Sequence, residues 1–249
     1  MKRKTLTIAI CFLALISIVS IGFASWVISR PTTEQSAVGS ITAEEVSVSG
    51  YGITLEWVKW DQTSNAYVTD TPIIHFGKPV TADESITNPW LTNSSDALIE
   101  SFDATLKISI SNIENMSDAG LNVSLFTVIG EADKALNDES TAFGKAVKDG
   151  YISMPTVKIN DGSATSYASV INIDSDDFTA GYCLVHIQFG WGTKFGGSSP
   201  VNPYNYYNKL DVNQYGSEAE TALKAIQQIS TDGTKYKVLV APAPATPQE

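Results

Sequence analysis

Strict alternation of apolar and polar side chains recurs through this chain, and it restricts the fold to sheets with one wet face. Leu106, Ile108 and Ile110 face one way, with Thr105, Lys107, Ser109 and Ser111 opposite, the period-2 signature of a half-buried strand. Ile53, Leu55 and Trp57 alternate with Thr54 and Glu56, and Leu121, Val123 and Leu125 with Asn122 and Ser124. Cys183, Val185, Ile187 and Phe189 form one face of a further strand, Tyr236, Val238 and Val240 one face of the last, and Ile41, Val46 and Val48 suggest an early one. Turn-rich stretches at 112–120 and at Asn160, Asp161 and Gly162 separate these runs. Many strands without a βαβ rhythm predict a mainly β fold, an antiparallel β-sandwich spanning residues 41–240.

Two helical insertions interrupt the pattern. Ser217-Glu218-Ala219-Glu220 reads as a capping box, with Ser217 as cap and Glu220 reaching back. Ala222, Leu223 and Ile226 follow at helical spacing, and Asp232-Gly233 marks the end. Over 132–148, Leu136, Phe143 and Val147 share a helical stripe, with Lys148 and Gly150 as stop signals. Residues 241–249 are rich in Pro and Ala and are expected to be a disordered tail.

Residues 1–24 read as an export signal. Lys2, Arg3 and Lys4 precede an apolar run over 6–21, and Gly22 and Ala24 supply the small-x-small pattern of a signal peptidase site, so the cut is expected between Ala24 and Ser25. The run approaches the length of a membrane span, and an uncleaved anchor is the alternative. The positive-inside bias places the remainder outside the cell in either case. The net charge of −11 becomes more negative without the three basic leader residues, and such a surface repels nucleic acid. Cys11 falls in the leader, so Cys183 has no partner within the remaining chain and a disulfide scaffold is excluded.

The residues give little sign of catalysis. Neither His75 nor His186 belongs to a ligand-spaced pair, and no Gly-x-Ser-x-Gly elbow surrounds a serine. Cys183 stands on an apolar strand face, where a thiol serves as packing. Gly190-Trp191-Gly192-Thr193-Lys194-Phe195-Gly196-Gly197 puts Phe195 where a nucleotide loop needs glycine, and it reads as a tight bend. Asp174, Asp176 and Asp177 lack the Gly and closing Glu of an EF-hand loop and read as a solvated acidic turn, with weak calcium binding the alternative. No metal, cofactor or catalytic residue is therefore expected. The densest aromatic stretch, 191–207, holds Trp191, Phe195, Tyr204, Tyr206 and Tyr207 among Gly, Ser, Asn and Pro. It reads first as a long loop pinned down by its own rings. The alternative is a glycan-binding surface in which Trp191, Tyr204, Tyr206 and Tyr207 stack on sugars.

Gly22-Phe23-Ala24-Ser25-Trp26-Val27-Ile28-Ser29, followed by Ser36-Ala37-Val38-Gly39-Ser40-Ile41-Thr42-Ala43, resembles the leader and first mature segment of TasA/camelysin-type proteins. Those are exported by Gram-positive bacteria through a dedicated SipW-type signal peptidase. The aromatic near the cut corresponds to Trp26, and the Gly-x-x-Thr-Ala-like element to residues 39–43. The resemblance implies a jelly-roll-like sandwich and, for the best-known members, a fibre of the biofilm matrix at the cell surface. There the freed N-terminal segment adds a strand to the neighbouring subunit. Here residues 25–40, with Trp26 and Ile28 alternating against Val27, are the expected donor segment, loosely packed in the monomer. The metalloprotease activity described for camelysin is not carried over, because no ligand set for it stands in this sequence.

These readings converge on a secreted, non-catalytic structural subunit without a cofactor. Its expected partners are the signal peptidase during export, further copies of itself or other matrix proteins, and cell-surface glycans, with membrane contact only through residues 1–24 if they are uncleaved. The alternative is an extracellular glycan-binding module or adhesin working through 191–207.

Overall fold

The computed structural model describes residues 38–46, 51–76, 101–116, 120–179, 181–207 and 212–244. The leader with Ala24, and Ser25, Trp26 and Ile28 of the expected donor segment, lie outside the described residues. The described chain is mainly β and forms two sheets. One contains β1 (Val38–Glu45), β4 (Ile73–His75), β6 (Leu121–Ile129), β7 (Ala132–Ala135), β10 (Ile171–Ile173) and β12 (Lys235–Pro242), in the order β10-β6-β12-β1-β4, with β7 also paired to β6. The other runs β3-β2-β5-β11-β8-β9, from β2 (Gly52–Asp61), β3 (Ala66–Thr69), β5 (Ser101–Ser111), β8 (Thr156–Ile159), β9 (Thr165–Ser166) and β11 (Tyr182–Gly190). Leu106, Ile108, Val185 and Ile187 from the second sheet share one apolar core with Leu121, Val123, Val238 and Val240 from the first.

The strands follow the alternation closely. β5 and β11 pair from Ser101–Gly190 to Ser109–Tyr182, which sets Phe102, Ala104, Leu106 and Ile108 beside Phe189, Ile187, Val185 and Cys183 on the core side, while Leu184 and Tyr182 stand on the outer face. Tyr236 is 2% exposed and meets Phe189 and Phe143 edge-on at 5.2 and 5.5 Å between ring centres. Edge-to-face contact is the arrangement that aromatic quadrupoles favour.

Several expectations are corrected. The sheets are not wholly antiparallel, because β1 runs parallel to β12, with Ile41 beside Tyr236 and Glu45 beside Val240. A parallel pair between the first and the last described strands needs a connection through the rest of the domain, which local alternation cannot reveal. β1 begins at Val38, so residues 38–40 of the segment 25–40 are already paired, with Ile73–His75. At the other end β12 continues through Ala241 and Pro242, pairing with Asn122 and Leu121, and Ala243 donates its N–H to the Gly120 carbonyl at 3.0 Å, so these residues of the expected tail are held in the sheet.

The helices also differ from the sequence reading. Residues 132–135 form a hairpin with β6 across Gly130-Glu131, where Gly130 takes a φ of 63° that suits a two-residue turn. Only Ala142–Lys148 is helical there (α1), capped by Thr141, whose hydroxyl accepts the Gly144 N–H at 2.9 Å. A short helix α2 (Pro203–Tyr207) precedes α3 (Val212–Thr231). Ser217 is therefore inside α3 rather than its cap, and its carbonyl accepts the Thr221 hydroxyl. Without a proline over 212–216 nothing blocks helical backbone upstream of the motif, and Gly216 weakens the helix by only about 1 kcal/mol. Ala219, Ala222, Ile226 and Ile229 form the buried stripe of α3, and α1 packs against this helix.

Candidate functional site

The aromatic stretch 191–207 folds onto itself. Trp191 and Tyr207 are each only 3% exposed and Phe195 is fully buried. Phe195 meets Trp191, Tyr206 and Tyr207 edge-on at 5.9, 5.9 and 6.0 Å. The bend at its start needs a glycine, because a Cβ on Gly192 would lie 2.2 Å from the Gly150 carbonyl oxygen. Trp191 and Tyr207, sugar-stacking residues in the glycan-binding alternative, thus spend their faces on the loop's own core. Tyr206 is half-buried and Tyr204 lies in α2, with its side chain outside the described residues. Between this loop and α3 runs a cleft of about 350 Å³ walled by Tyr151, Tyr206 and Tyr207, with Lys194 and Glu218 on its rim. Burial pushes the Tyr151 and Tyr207 phenols up, and the Glu218 carboxylate adds to both.

A second cavity, of about 370 Å³, opens on the outer face of the β5-β11-β8 region, where Asp103, Thr105, Thr156, Lys158, His186 and Gln188 line it. Pairing sets His186 between Thr105 and Lys158, and Gln188 between Asp103 and Thr156. The Thr105 hydroxyl is 3.0 Å from His186 Nδ1. Gln188 Nε2 donates to Asp103 Oδ1 at 3.0 Å and to Ser101 Oγ at 3.2 Å. Burial holds the His186 pKa below its ordinary value, and Lys158 lowers it further against the opposing pull of Asp161 and Asp103. Ala164, between β8 and β9, closes one side. That connection is pinned by Asn160, which accepts the Leu184 N–H at 2.9 Å and donates to the Asp177 carbonyl at 2.7 Å.

The same outer face carries an aromatic pair that the sequence reading passed over. Trp60 on β2 is 50% exposed and meets Tyr67 on β3 edge-on at 5.1 Å. The hairpin holding them turns at Asp61, whose carboxylate accepts the N–H groups of Thr63 and Ser64 at 3.0 and 3.2 Å. The signal for this pair is present in the sequence, since Trp60 and Tyr67 flank a tight polar turn at 61–65. It was hidden because Ile53, Leu55 and Trp57 fix attention on the opposite face.

Cys183 and Asp177 have structural roles. Cys183 is fully buried and its thiol is pushed up to about 12 by burial, with Asp177 adding. The Asp177 carboxylate accepts the Asp174 N–H at 2.9 Å and caps a 3-10 turn. Strand His75 lies in β4, with its side chain outside the described residues.

Among the described residues one sheet edge is covered and another has no strand beside it. β7 and β10 lie end to end along β6, and the Tyr167 hydroxyl, reaching into the gap between them, accepts the Leu125 N–H at 2.8 Å. β1 pairs with β4 only over Val38–Ser40, and among the described residues no strand pairs with its far edge over Ile41–Glu45. Val46 at the end of that edge is 44% exposed. Among the described residues no helix is long and apolar enough to cross a membrane. No family model, curated protein or solved structure matches the chain.

Proposed function

We propose that this protein is a secreted, non-catalytic matrix subunit of jelly-roll-like architecture that assembles by strand addition, its residues 25–37 supplying the donor strand. The open edge of β1 carries this reading. Val46 donates its N–H to the Val240 carbonyl at 2.9 Å, and alternation along a strand then turns the N–H groups of Ala43 and Glu45 away from β12. Among the described residues these groups have no backbone partner, and such an edge is a template for an added strand, the property that sheet edges must either hide or use. The N-terminal segment enters directly at β1, and the likeness of residues 22–43 to TasA/camelysin-type leaders supports the same assignment.

Glu45→Pro tests it. Glu45 is exposed and its N–H faces the open edge, so proline removes an edge donor without removing a bond to β12. The variant is expected to fold with an unchanged circular dichroism spectrum and to stop sedimenting as polymer. Polymer formed equally well by the variant would sink the strand-addition reading. The second reading, a glycan-binding module at the aromatic loop, draws on the cleft beside Tyr151 and Tyr206; there Tyr206→Ala, not Glu45→Pro, would abolish function.

A further inference from the structure

We infer that the outer face of the β3-β2-β5-β11-β8 sheet is a binding site for a neutral saccharide, with Trp60 as its stacking platform and Asp103, Gln188 and His186 as its hydrogen-bonding groups. Val58 on β2 pairs with Thr105 on β5. Trp60 lies two residues beyond Val58 and Asp103 two residues before Thr105, so both stand on the same face at the same end of neighbouring strands. Asp103 and Gln188 then continue across to the cavity.

The chemistry of this surface selects the ligand class. An exposed indole held edge-on by a second ring offers one apolar face of fixed orientation, which suits the C–H face of a pyranose. Beside it stand a carboxylate, a primary amide, an imidazole and two threonine hydroxyls, a mixed set of donors and acceptors matched to sugar hydroxyls. The charged groups lining the cavity are one carboxylate, Asp103, and one ammonium, Lys158. This balance favours neither a phosphate nor a polyamine. The cavity of about 370 Å³ lies within the range of small-ligand sites. Gln188 and Asp103 are already tied together, and His186 to Thr105, so the groups are held before a ligand arrives.

Affinity electrophoresis of the purified protein through gels containing laminarin, mannan, galactan, dextran or xyloglucan tests the inference. At least one of these neutral polysaccharides is expected to retard the protein. Trp60→Ala and Gln188→Ala should each weaken that retardation at least tenfold, while Tyr206→Ala, in the aromatic-loop cleft, changes it less than twofold. Trp60 is exposed, so its variant is expected to keep the wild-type unfolding midpoint. Failure of every neutral polysaccharide to retard the protein would overturn the inference. So would retardation by anionic hyaluronan alone, or retardation left intact by both sheet variants. The inference is independent of polymerisation, because neither substitution touches β1.

Discussion

Removing one phenolic oxygen from Tyr167 should weaken the whole domain. Tyr167 is 6% exposed and Leu125, whose N–H it accepts, is 3% exposed. The phenol donates in turn to the Ser169 carbonyl. In Tyr167→Phe the ring still fills its place, so no cavity opens and the change isolates the polar term. A neutral hydrogen bond contributes about 1 kcal/mol net, and a buried N–H left without an acceptor costs about 1–3 kcal/mol. Because β7 and β10 stop on either side of Leu125, no backbone acceptor of those strands replaces the phenol. The expected loss is about 2 kcal/mol, or roughly 4–8 °C in Tm for a domain of this size. Urea unfolding followed by tryptophan fluorescence reads it, with Tyr67→Phe as a surface control expected to change stability by less than about 0.5 kcal/mol. A Tyr167→Phe protein as stable as the control would refute the claim that the phenol completes the β6 edge.

Three further outcomes follow from buried or paired groups. The Tyr236 hydroxyl is buried and has no hydrogen-bond partner among the described residues, so Tyr236→Phe should leave stability unchanged or raise it by about 1 kcal/mol in the same urea assay. Lys237 bridges Asp133 on β7 and Glu44 on β1, and its pKa is raised first by Asp133. Its contribution is present in full below the ordinary lysine value and is lost as pH rises through the raised one. Unfolding free energy should therefore fall more steeply above pH 10.5 in wild type than in Lys237→Met. Cys183, buried and with its thiol at about 12, should escape iodoacetamide at pH 8 in the folded protein and react after unfolding, as read by peptide mass spectrometry.

Local pattern revealed the strands and hid their partners. β5, β11 and β12 were legible because each sets an alternate row of apolar residues against a single core, a pattern that Leu184 and Leu239 on the other faces do not break. The parallel pairing of β1 to β12 was not, because it joins residues nearly two hundred positions apart, Ile41 to Tyr236. The stripe Leu136, Phe143 and Val147 suggested one helix, yet Leu136 is buried at the end of a hairpin and Phe143 in a separate short helix. Two elements burying residues against one core can imitate the period of one. The aromatic loop was legible as a unit, but composition could not tell rings that face a ligand from rings that face each other. Trp60 was missed for the converse reason. β2 carries half-buried apolar residues on one face and buried Val58 on the other, so its sequence does not announce which face is wet.

The assignment as a strand-adding subunit is tested most directly by light-scattering mass across a concentration series, on chains beginning at Ser25 and at Val38. The second begins where β1 begins and keeps every described strand. The expected result is growth to large species by the longer chain and a constant single-chain mass, with unchanged circular dichroism, for the shorter. Growth by both chains, or by neither, would contradict a donor strand within residues 25–37.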